Sequence, residues 1–453
     1  MPHTHHATRA TPHTDLQRTR ERTLAFVRAF QRQAGVTIPL RLWDGTEVGH
    51  GDFRLVLNHP WSLRALLVPA TDLNAGEAYL RDDVDVTGDL VSALHAIARL
   101  RDGLGLLDRA RIAPRLLALP TPPDDDVGVV QRAAMVTGRR HSRARDRDVV
   151  RFHYDLGNDF FRCFLDEDLV YSCAYFATPD TSLELAQRRK LDTVVRKLDL
   201  RPGERLLDVG CGWGSLVIHA ARHFGVHATG VTLSSEQARA ALARAEEAGV
   251  GDRVEIRVAD YREVGGSFDA VASVGMVEHV GSDQLAAYFR HLYGLLADGG
   301  RLLNHGITTG GRRVTRDIDA ADASFIGRYV FPDGGLVPAS RTIHEVEEAG
   351  FELLDVQQLR RHYALTLREW VRRLEASHDR AVAAASEVDY RIWRAYMAGS
   401  VVGFDTNDLG VVQVLAGRGA DVPLDRSFMT PRVDLLGETR RGGGARATTD
   451  RPG

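Results

Sequence analysis

One short segment, LDVGCGWG at residues 207–214, constrains the fold more than any other part of the sequence. Apolar residues precede it and an amphipathic stretch follows it, which predicts a turn from a strand into a helix. Gly210, Gly212 and Gly214 permit positive φ angles and let a ligand approach the backbone closely. Asp208 stands before the first glycine, where its charge would repel a pyrophosphate. The segment therefore differs from the dinucleotide fingerprint and suits a ligand with a cationic group.

This turn lies within a longer alternation of predicted strands and helices. Strands are predicted near residues 205–209, 226–231, 253–258, 268–274, 301–307, 351–359 and 410–415. Alternation of this kind is typical of a mostly parallel sheet that is covered by helices on both faces. A helical insert is expected at about residues 366–397, before the last strand. The predicted fold class is α/β, with a seven-stranded Rossmann-like sheet and a helical substrate cap that resemble class I S-adenosylmethionine methyltransferases.

Length and composition determine the expected domain organisation. The 453 residues are 44% hydrophobic and 26% charged, which permits a sizeable core, and a net charge of −3 argues against nucleic acid as the partner. The expected parts are a disordered N-terminus (1–21), a small α+β domain that docks a lipid or a partner (22–118), a linker with a basic run (119–149), the catalytic domain (150–420) and a flexible C-terminal tail (421–453).

Several features predict where the protein works. Three cysteines without a C-x-x-C pair favour a reducing compartment. The N-terminus has no apolar signal core, and no stretch reaches the ~18 apolar residues that span a bilayer. We therefore expect a cytoplasmic protein that associates with a membrane peripherally and transiently. The run at 139–147, with five arginines and one aspartate, is either a solvated connector or a contact with anionic phospholipid.

Two loops after predicted strands offer further cofactor ligands. After the second strand, Thr232, Leu233 and Gln237 are candidates for holding ribose hydroxyls. The alternative for this loop is a capping box, in which Ser234 begins a helix and Gln237 reaches back to it.

The loop after the third strand contains Asp260 and Tyr261. Asp260 is a candidate partner for an adenine amino group, and the alternative is an ordinary loop cap. Elsewhere in the sequence, no His, Cys, Asp and Glu residues have the spacing of metal ligands, so no metal is expected.

Six ordered motifs resemble those of the cyclopropane-fatty-acyl-phospholipid synthase family, which is related to the mycolic acid cyclopropane synthases. They are HYDLGNDFF (153–161), LVYSCAYF (169–176), the glycine segment, VGMVEHVG (274–281), FPDGG (331–335) and HYALTL (362–367). The resemblance covers about residues 22–420. It implies an enzyme that uses S-adenosylmethionine to methylate the cis double bond of an unsaturated phospholipid acyl chain. A bound bicarbonate then removes a proton, and a cyclopropane ring closes.

The resemblance also implies roles for individual residues. The implied bicarbonate ligands are the backbone amide of Cys173, the Glu278 carboxylate, His305, the backbone of Ile307 and the Tyr363 hydroxyl. Tyr171 and Ser172 are implied contacts of the methionine end of the cofactor. The family usually has Leu-His-Thr-Ile where this chain has Asn-His-Gly-Ile at 304–307, so the alignment rests on the His-x-Ile spacing.

The motifs leave the product open. Loss of a proton from a different carbon would give a 10-methylene acyl chain, which a partner reductase would convert to a 10-methyl chain of the tuberculostearate type. A small-molecule methyltransferase and a non-catalytic lipid-binding protein are less favoured alternatives. The first leaves the N-terminal domain unexplained, and the second leaves the intact motifs unexplained. The expected partners are an unsaturated phospholipid, a candidate reductase and, as a candidate, a second copy of the chain.

Overall fold

The computed structural model describes residues 13–123, 137–154, 156–311, 318–319, 324–419 and 426–429. The N-terminal block consists of α1 (His13–Ala34), β1 (Leu40–Arg41), β2 (Glu47–Val48), β3 (Phe53–Leu57), α2 (Ser62–Leu67), α3 (Asp72–Leu80), β4 (Val84–Gly88), α4 (Leu90–Gly103) and α5 (Leu106–Leu117). Its strands form a four-stranded sheet in the order β2-β1-β3-β4. We call this block the N-terminal module, and its mixture of helices and strands agrees with the predicted fold class.

The rest of the chain contains the larger sheet and its helices. The elements are α6 (Arg143–Tyr154), α7 (Asn158–Phe161), α8 (Leu183–Lys197), β5 (Arg205–Val209), α9 (Ser215–Phe224), β6 (His227–Thr232), α10 (Ser235–Glu247), β7 (Val254–Val258), β8 (Phe268–Val274), α11 (Val277–Val280), α12 (Leu285–Leu295), β9 (Leu296–Thr309), β10 (Ile318–Asp319), α13 (Phe325–Tyr329), β11 (Gly335–Leu336), α14 (Ala339–Glu348), β12 (Glu352–Gln358), α15 (Arg360–Ala376), α16 (His378–Ala384), α17 (Glu387–Asp405) and β13 (Leu409–Gly417). Short 3-10 turns lie at Tyr261–Glu263, Ser282–Gln284 and Arg426–Met429.

The larger sheet has seven strands in the order β12-β13-β9-β8-β5-β6-β7. Strands β5 to β9 run parallel to one another, whereas β13 is antiparallel to β9 and β12 is antiparallel to β13. This confirms the predicted α/β fold class with a seven-stranded methyltransferase-type sheet. Of the predicted strands, β9 differs most in its bounds, because it begins at Leu296 and continues to Thr309.

Both faces of the sheet are buried, as adjacent residues of its strands show. Leu206 and Leu303 belong to one apolar cluster, and Leu207 and Leu302 belong to another. Successive side chains of a strand point to opposite faces, so each central strand supplies both clusters. Such double burial explains why these strands read as continuous apolar runs in the sequence. It leaves the carboxyl ends of the strands as the place where a ligand can bind.

The N-terminal module packs against a helical cap formed by α15, α16 and α17. A single apolar cluster includes Phe26 of the module and Trp370 and Trp393 of the cap. Arg394 of α17 adds polar contacts, because its guanidinium donates to the Tyr79 hydroxyl at 3.0 Å and to Glu375 at 2.7 Å. The module and the cap therefore share one hydrophobic core.

Helix α1 corrects the predicted extent of the N-terminal disorder. It begins at His13, inside the segment 1–21 that was expected to be disordered, and residues 1–12 lie outside the described ranges. Thr23, Phe26 and Val27 are buried at helical spacing. Adding residues to an existing helix costs less free energy than starting a new one. The polar first turns can therefore extend from the segment that is held by tertiary packing.

Other boundaries also differ from the prediction. The expected linker is residues 119–149, and helix α6 includes its last part, residues 143–149. Residues 124–136 of this linker lie outside the described ranges. A domain boundary near Pro120 therefore stays a prediction. The helical insert extends from Arg360 to Asp405 as three helices. Within the expected flexible tail, Arg426–Met429 forms a turn and Met429 is buried against the sheet cluster.

Helix length does not indicate a membrane span. Helix α1 has 22 residues but is rich in charged side chains. Across the part of the chain that the structure describes, no helix is both long and apolar enough to cross a bilayer. Association with a membrane surface therefore stays a prediction at this point.

Replacing Arg394 by methionine should lower the free energy of unfolding by about 1–3 kcal/mol, because the Tyr79 hydroxyl would stay buried without its donor. The urea unfolding midpoint measures this effect. Arg372→Met in α15, whose side chain is 64% exposed, is the matched control and should change stability by less than ~0.5 kcal/mol. Equal midpoints for wild type and the Arg394 variant would show that this contact does not hold the module on the cap.

Candidate active site

The predicted glycine turn joins β5 to α9. Gly210 has φ 81° and Gly212 has φ 54°, and the amides of Gly210 and Cys211 both donate to Val231 O at 2.9 Å. No described atom lies within 4 Å of the point where a Cβ on Gly212 would be, so this backbone faces open space. At Gly214 a Cβ would lie 2.9 Å from Ala241 Cβ, so this glycine permits packing between α9 and α10.

A cavity of about 890 Å³ opens above this turn, at the carboxyl ends of β5, β6, β8 and β9. Fifteen of the sixteen predicted site residues line it. They are Tyr171, Ser172, Cys173, Asp208, Gly210, Gly212, Thr232, Leu233, Gln237, Asp260, Tyr261, Glu278, His305, Ile307 and Tyr363. Gly214 is the exception, since its place is between two helices. The structure thus brings the predicted residues together, while the role of each stays a prediction.

Asp208 and Lys190 form a buried electrostatic pair at the floor of the cavity. Asp208 is 3% exposed, and burial raises its pKa to about 7 although Lys190 acts in the opposite direction. Burial lowers the pKa of Lys190 to about 8, while the charges of Asp166 and Asp208 oppose that fall. The Lys190 ammonium donates to Ser172 Oγ at 2.9 Å. The floor can therefore present both a carboxylate and an ammonium group to a ligand that carries the opposite charges.

The loop after β6 resolves the two interpretations of Gln237. Ser234 caps α10, because its hydroxyl accepts from the backbone N–H of Gln237 at 3.3 Å. The second half of a capping box is missing, since the Ser234 amide donates to Thr232 Oγ1 at 3.1 Å. The Thr232 hydroxyl in turn donates to Gln237 Oε1 at 2.8 Å, and Gln237 Nε2 has no partner among the described residues. Ser234 alone caps the helix, and the side-chain amide of Gln237 remains able to donate to a ligand through Nε2.

Asp260 caps its loop and also lines the cavity, while its contact with adenine stays a prediction. As the cap of the 3-10 turn, it accepts from the Arg262 amide at 3.0 Å. Burial would raise its pKa, but the hydrogen bonds and charge of Arg262 outweigh burial and lower it. Arg262 also donates to Asp146 of α6 at 2.7 Å. Asp260 is thus held as an ionised acceptor at the cavity wall.

Glu278 lies at the start of α11 with its carboxylate inside the cavity. Its Oε1 accepts from the Ile307 backbone N–H at 2.7 Å, so this group orients the Glu278 carboxylate, and the contact of the Ile307 backbone with bicarbonate stays a prediction. Burial raises the pKa of Glu278 to about 7, although the hydrogen bonds from backbone amides oppose the rise. Its Oε2 has no hydrogen-bond partner in the described ranges. The group is therefore poised to change protonation near neutral pH.

His305 projects from β9 toward the same space. Gln413 Nε2 lies 3.2 Å from its Nδ1, and because an amide nitrogen only donates, Nδ1 accepts and the proton is on Nε2. Burial lowers the pKa of His305 to about 3, so the ring is neutral. Nε2 is buried and no described group accepts its proton. His305 therefore presents one hydrogen-bond donor to the cavity.

The cap holds the segment around Cys173 and supplies Tyr363. The amide of Ala174 donates to Thr366 Oγ1 and that of Phe176 to His362 Nδ1, both at 3.0 Å, which ties the segment around Cys173 to α15. The Cys173 thiol is fully buried, and burial raises its pKa, so the thiol stays protonated. Tyr363 of α15 is 8% exposed and lines the cavity.

Sequence reasoning missed three residues of this site: Lys190, Arg262 and Gln413. Gln187 and Lys190 lie one helical turn apart on the buried face of α8. Because a lysine is almost never fully buried unless it is paired, a lysine on this face was the sequence feature that could have indicated a site residue. Gln413 sits in an apolar strand, where a lone amide is also unusual. Among the described residues, no three His, Cys, Asp or Glu lie together as metal ligands would, and the expectation of a metal-free site stays a prediction.

The residues present fit the cofactor expected from the sequence. Five buried polar atoms of cavity-lining residues lack partners within the described chain: the Tyr171 hydroxyl, Asp208 Oδ1, Gln237 Nε2, Glu278 Oε2 and His305 Nε2. Buried polar groups are nearly always paired, so five unpaired atoms around one cavity indicate polar ligands. The open backbone at Gly212 supplies the close approach that such a ligand needs.

Comparisons with known proteins agree with this geometry. The mycolic acid cyclopropane synthetase family matches residues 141–414. Tuberculostearic acid methyltransferase UfaA1 of Mycobacterium tuberculosis is 36% identical over 399 residues, covering 84% of this chain and 88% of that protein. The cyclopropane-fatty-acyl-phospholipid synthase of Escherichia coli is 37% identical over 280 residues, covering 62% of this chain and 70% of that protein. Mycolic acid cyclopropane synthase CmaA1, solved as a complex with SAH and CTAB, is 33% identical with a TM-score of 0.56, covering 60% of this chain and 97% of that one.

Replacing Lys190 by methionine should weaken binding of S-adenosylmethionine about tenfold or more, since a hydrogen bond from a charged group contributes ~1.5–3 kcal/mol. Without the ammonium the pKa of Asp208 rises further, so its carboxylate stays protonated at neutral pH and regains charge only in alkaline solution. Calorimetric titrations across the neutral and alkaline range measure both effects.

Wild type should bind more tightly as the pH rises through about 7, where Asp208 ionises. In the Lys190 variant this rise should move to higher pH. Arg188→Met, on the same helix but outside the cavity wall, is the control and should bind as wild type does. An unchanged affinity of the Lys190 variant at every pH would contradict its role.

Proposed function

This chain belongs to the mycolic acid cyclopropane synthetase family, and we propose that it methylates the cis double bond of an unsaturated acyl chain in a phospholipid. The chain is an S-adenosylmethionine-dependent methyltransferase. The observation that supports the proposed substrate is the continuity of the cavity, which leads from the glycine turn into an apolar space below the cap. The apolar wall includes Ile326, Leu336, Leu367, Val402, Phe404 and Leu409. A long apolar chain suits this part of the cavity.

The polar floor suits the methionyl end of the cofactor. S-adenosylmethionine, when bound, supplies an electrophilic methyl group on a cationic sulfur. Asp208 would balance the positive charges of that end, while Lys190 and Ser172 would donate to its carboxylate. Gln237 would donate to the ribose through its unpaired Nε2. These contacts orient the methyl group, and such positioning supplies much of the rate for a poor nucleophile such as an isolated alkene.

The chain's own side chains make poor bases for the final proton removal. His305 is too weakly basic with a pKa of about 3, and the Cys173 thiol stays protonated because burial raises its pKa. A bicarbonate held between Glu278, His305 and Tyr363 would supply the base. His305 would donate its Nε2 proton to this anion, and the ionised Glu278 would accept from its hydroxyl. The proton would leave the newly added methyl group, and the C–H electron pair would close the ring onto the neighbouring carbocation.

Aromatic rings next to the cavity suit the cationic stage of this reaction. Tyr171, Tyr363 and Phe404 line the cavity, and the last two have ring centroids 4.8 Å apart. The faces of such rings attract a cation, most strongly where water is excluded. These rings would therefore stabilise the carbocation without reacting with it.

A second candidate is the 10-methylene product that a partner reductase would saturate. It is favoured by the similarity to tuberculostearic acid methyltransferase UfaA1, which covers 84% of this chain. Both reactions need the same methyl donor and pass through the same cation. They differ in the step that follows. For the methylene product a hydride moves from the methylated carbon to the neighbouring cationic carbon, and the added methyl group then loses its proton to form the exocyclic double bond. The proton therefore leaves from the added methyl group in both reactions, and not from a different carbon.

The Glu278→Gln variant should bind S-adenosylhomocysteine as wild type does but turn over about 10²–10⁴-fold more slowly, because the amide orients the anion wrongly. In wild type the rate should rise as the pH passes about 7, where Glu278 becomes ionised, and the variant should lack this step. Single-turnover rates over the neutral range measure it. Glu263→Gln, whose side chain is 50% exposed, is the control, and a near-normal rate in the Glu278 variant would rule out the proposed base site.

Expression in a host whose phospholipids are rich in oleate should add one carbon to the oleoyl chains as a cyclopropane. Gas chromatography with mass spectrometry detects the added carbon, and proton NMR separates a ring methylene from an exocyclic one. A methylene product that becomes 10-methyl only with a reductase present would establish the second candidate instead. Unmodified oleoyl chains would contradict both.

A further inference from the structure

Helix α5 of the N-terminal module exposes leucines to an unusual degree. Leu106 is 85% exposed, Leu107 is 74% exposed and Leu117 is 54% exposed. The helix buries only Ile112. Single exposed apolar residues are normal, but three on one helix need an explanation.

The exposed residues share one side of α5. Each residue turns the helix by about 100°, so Leu106, Leu107, Ala110, Ala113, Pro114 and Leu117 fall within one arc of about 120°. Arg109 and Arg111 border this arc on its two sides, and Ile112 lies opposite to it. The arrangement is an outward apolar face with a basic edge, which is typical of helices that lie in the interface of a membrane.

The charge around α5 differs from that of the whole chain. Residues 99–118 contain five arginines and two aspartates, a net charge of +3, whereas the chain carries −3. Arg99, Arg109, Arg111 and Arg115 are exposed. A positively charged surface around an apolar face complements an anionic phospholipid bilayer, which carries negative charge at its surface and is apolar beneath it.

The position of α5 connects this face to the cavity. Ala98 and Asp102, at the end of α4, line the cavity. Leu106 follows four residues after Asp102, and four residues span at most about 14 Å. The apolar face therefore begins within about 14 Å of residues that line the cavity.

The basic run at 139–147 is less available for this contact. The Arg145 guanidinium donates to Asp333 at 2.8 Å, and Arg143 donates to Glu263 at 3.0 Å. Arg140 also pairs with Asp333, at 3.4 Å. These three arginines hold α6 against neighbouring loops.

We propose that α5 docks the enzyme on the surface of an anionic phospholipid bilayer. Leu106 and Leu107 enter the apolar layer, the arginines contact the phosphates, and the cavity wall at Ala98 and Asp102 lies close to the bilayer. This inference rests on the proposed function in one respect, since it assigns a source for the acyl substrate. It gives the N-terminal module a task that the catalytic site does not perform.

The test compares full-length wild type with a Leu106→Ser/Leu107→Ser variant in vesicle co-sedimentation. The vesicles are an equimolar mixture of dioleoyl phosphatidylglycerol and dioleoyl phosphatidylcholine. The variant should need at least about tenfold more lipid for half-maximal binding, since two leucines lose their apolar contact. Added salt should weaken wild-type binding, because it screens the arginines. Leu242→Ser/Val356→Ser, which removes two exposed apolar residues elsewhere, should bind as wild type does.

Three further measurements keep the outcomes separate. Unfolding midpoints and S-adenosylhomocysteine binding should match wild type, because Leu106 and Leu107 are 85% and 74% exposed. If the leucine variant binds vesicles as wild type does, the docking proposal is wrong, whether or not the enzyme makes product. If it loses vesicle binding but neither protein modifies oleoyl chains, the docking stands and the proposed function fails. If light scattering shows that the substitutions instead split a dimer and leave lipid binding intact, the face joins two copies of the chain and the proposal is overturned.

Discussion

Removal of water from the ionisable groups at the carboxyl edge of the sheet sets the properties of the whole cavity. Burial brings the pKa of Asp208 and of Glu278 to about 7 and that of His305 to about 3. A carboxylate that ionises near neutral pH and a histidine that stays neutral are products of this environment rather than of residue type. The environment exists because the cap covers the strand ends and the module supports the cap. Distant contacts such as that between Arg394 and Tyr79 therefore help to maintain the chemistry of the site.

Much of the fold could be predicted because its strongest signals are local. The glycine turn fixes a strand and a helix, and doubly buried parallel strands appear as apolar runs between amphipathic helices. The start of α1 could not be predicted in this way. Its first turns are polar, and they become helical because Phe26 and Val27 pack against the rest of the module. Tertiary packing overrides local propensity at such a place.

The same distinction applies to the candidate site, where some residues could be predicted from local sequence and others could not. Residues at the ends of strands, such as Asp208 and Asp260, could be predicted because parallel strands bring their carboxyl ends to one edge. Gln413 could not, because its importance depends on strand order. It reaches His305 only because β13 runs antiparallel beside β9, a neighbour that is remote in the sequence. Lys190 was missed for a similar reason, since the loop that contains Ser172 approaches it only in the folded chain.

The hydrogen bond between His305 and Gln413 also has a consequence for biosynthesis. The two residues are separated by 108 positions, and β13 is the last strand of the sheet. At a synthesis rate of ~5–20 residues per second, the histidine emerges from the ribosome roughly 5–20 s before its partner. Until then its ring lacks the donor that selects the tautomer, and the sheet lacks an inner strand. A nascent or prematurely terminated chain thus holds every glycine of the turn and Glu278 without a completed cavity, which forms only after synthesis has passed Gln413.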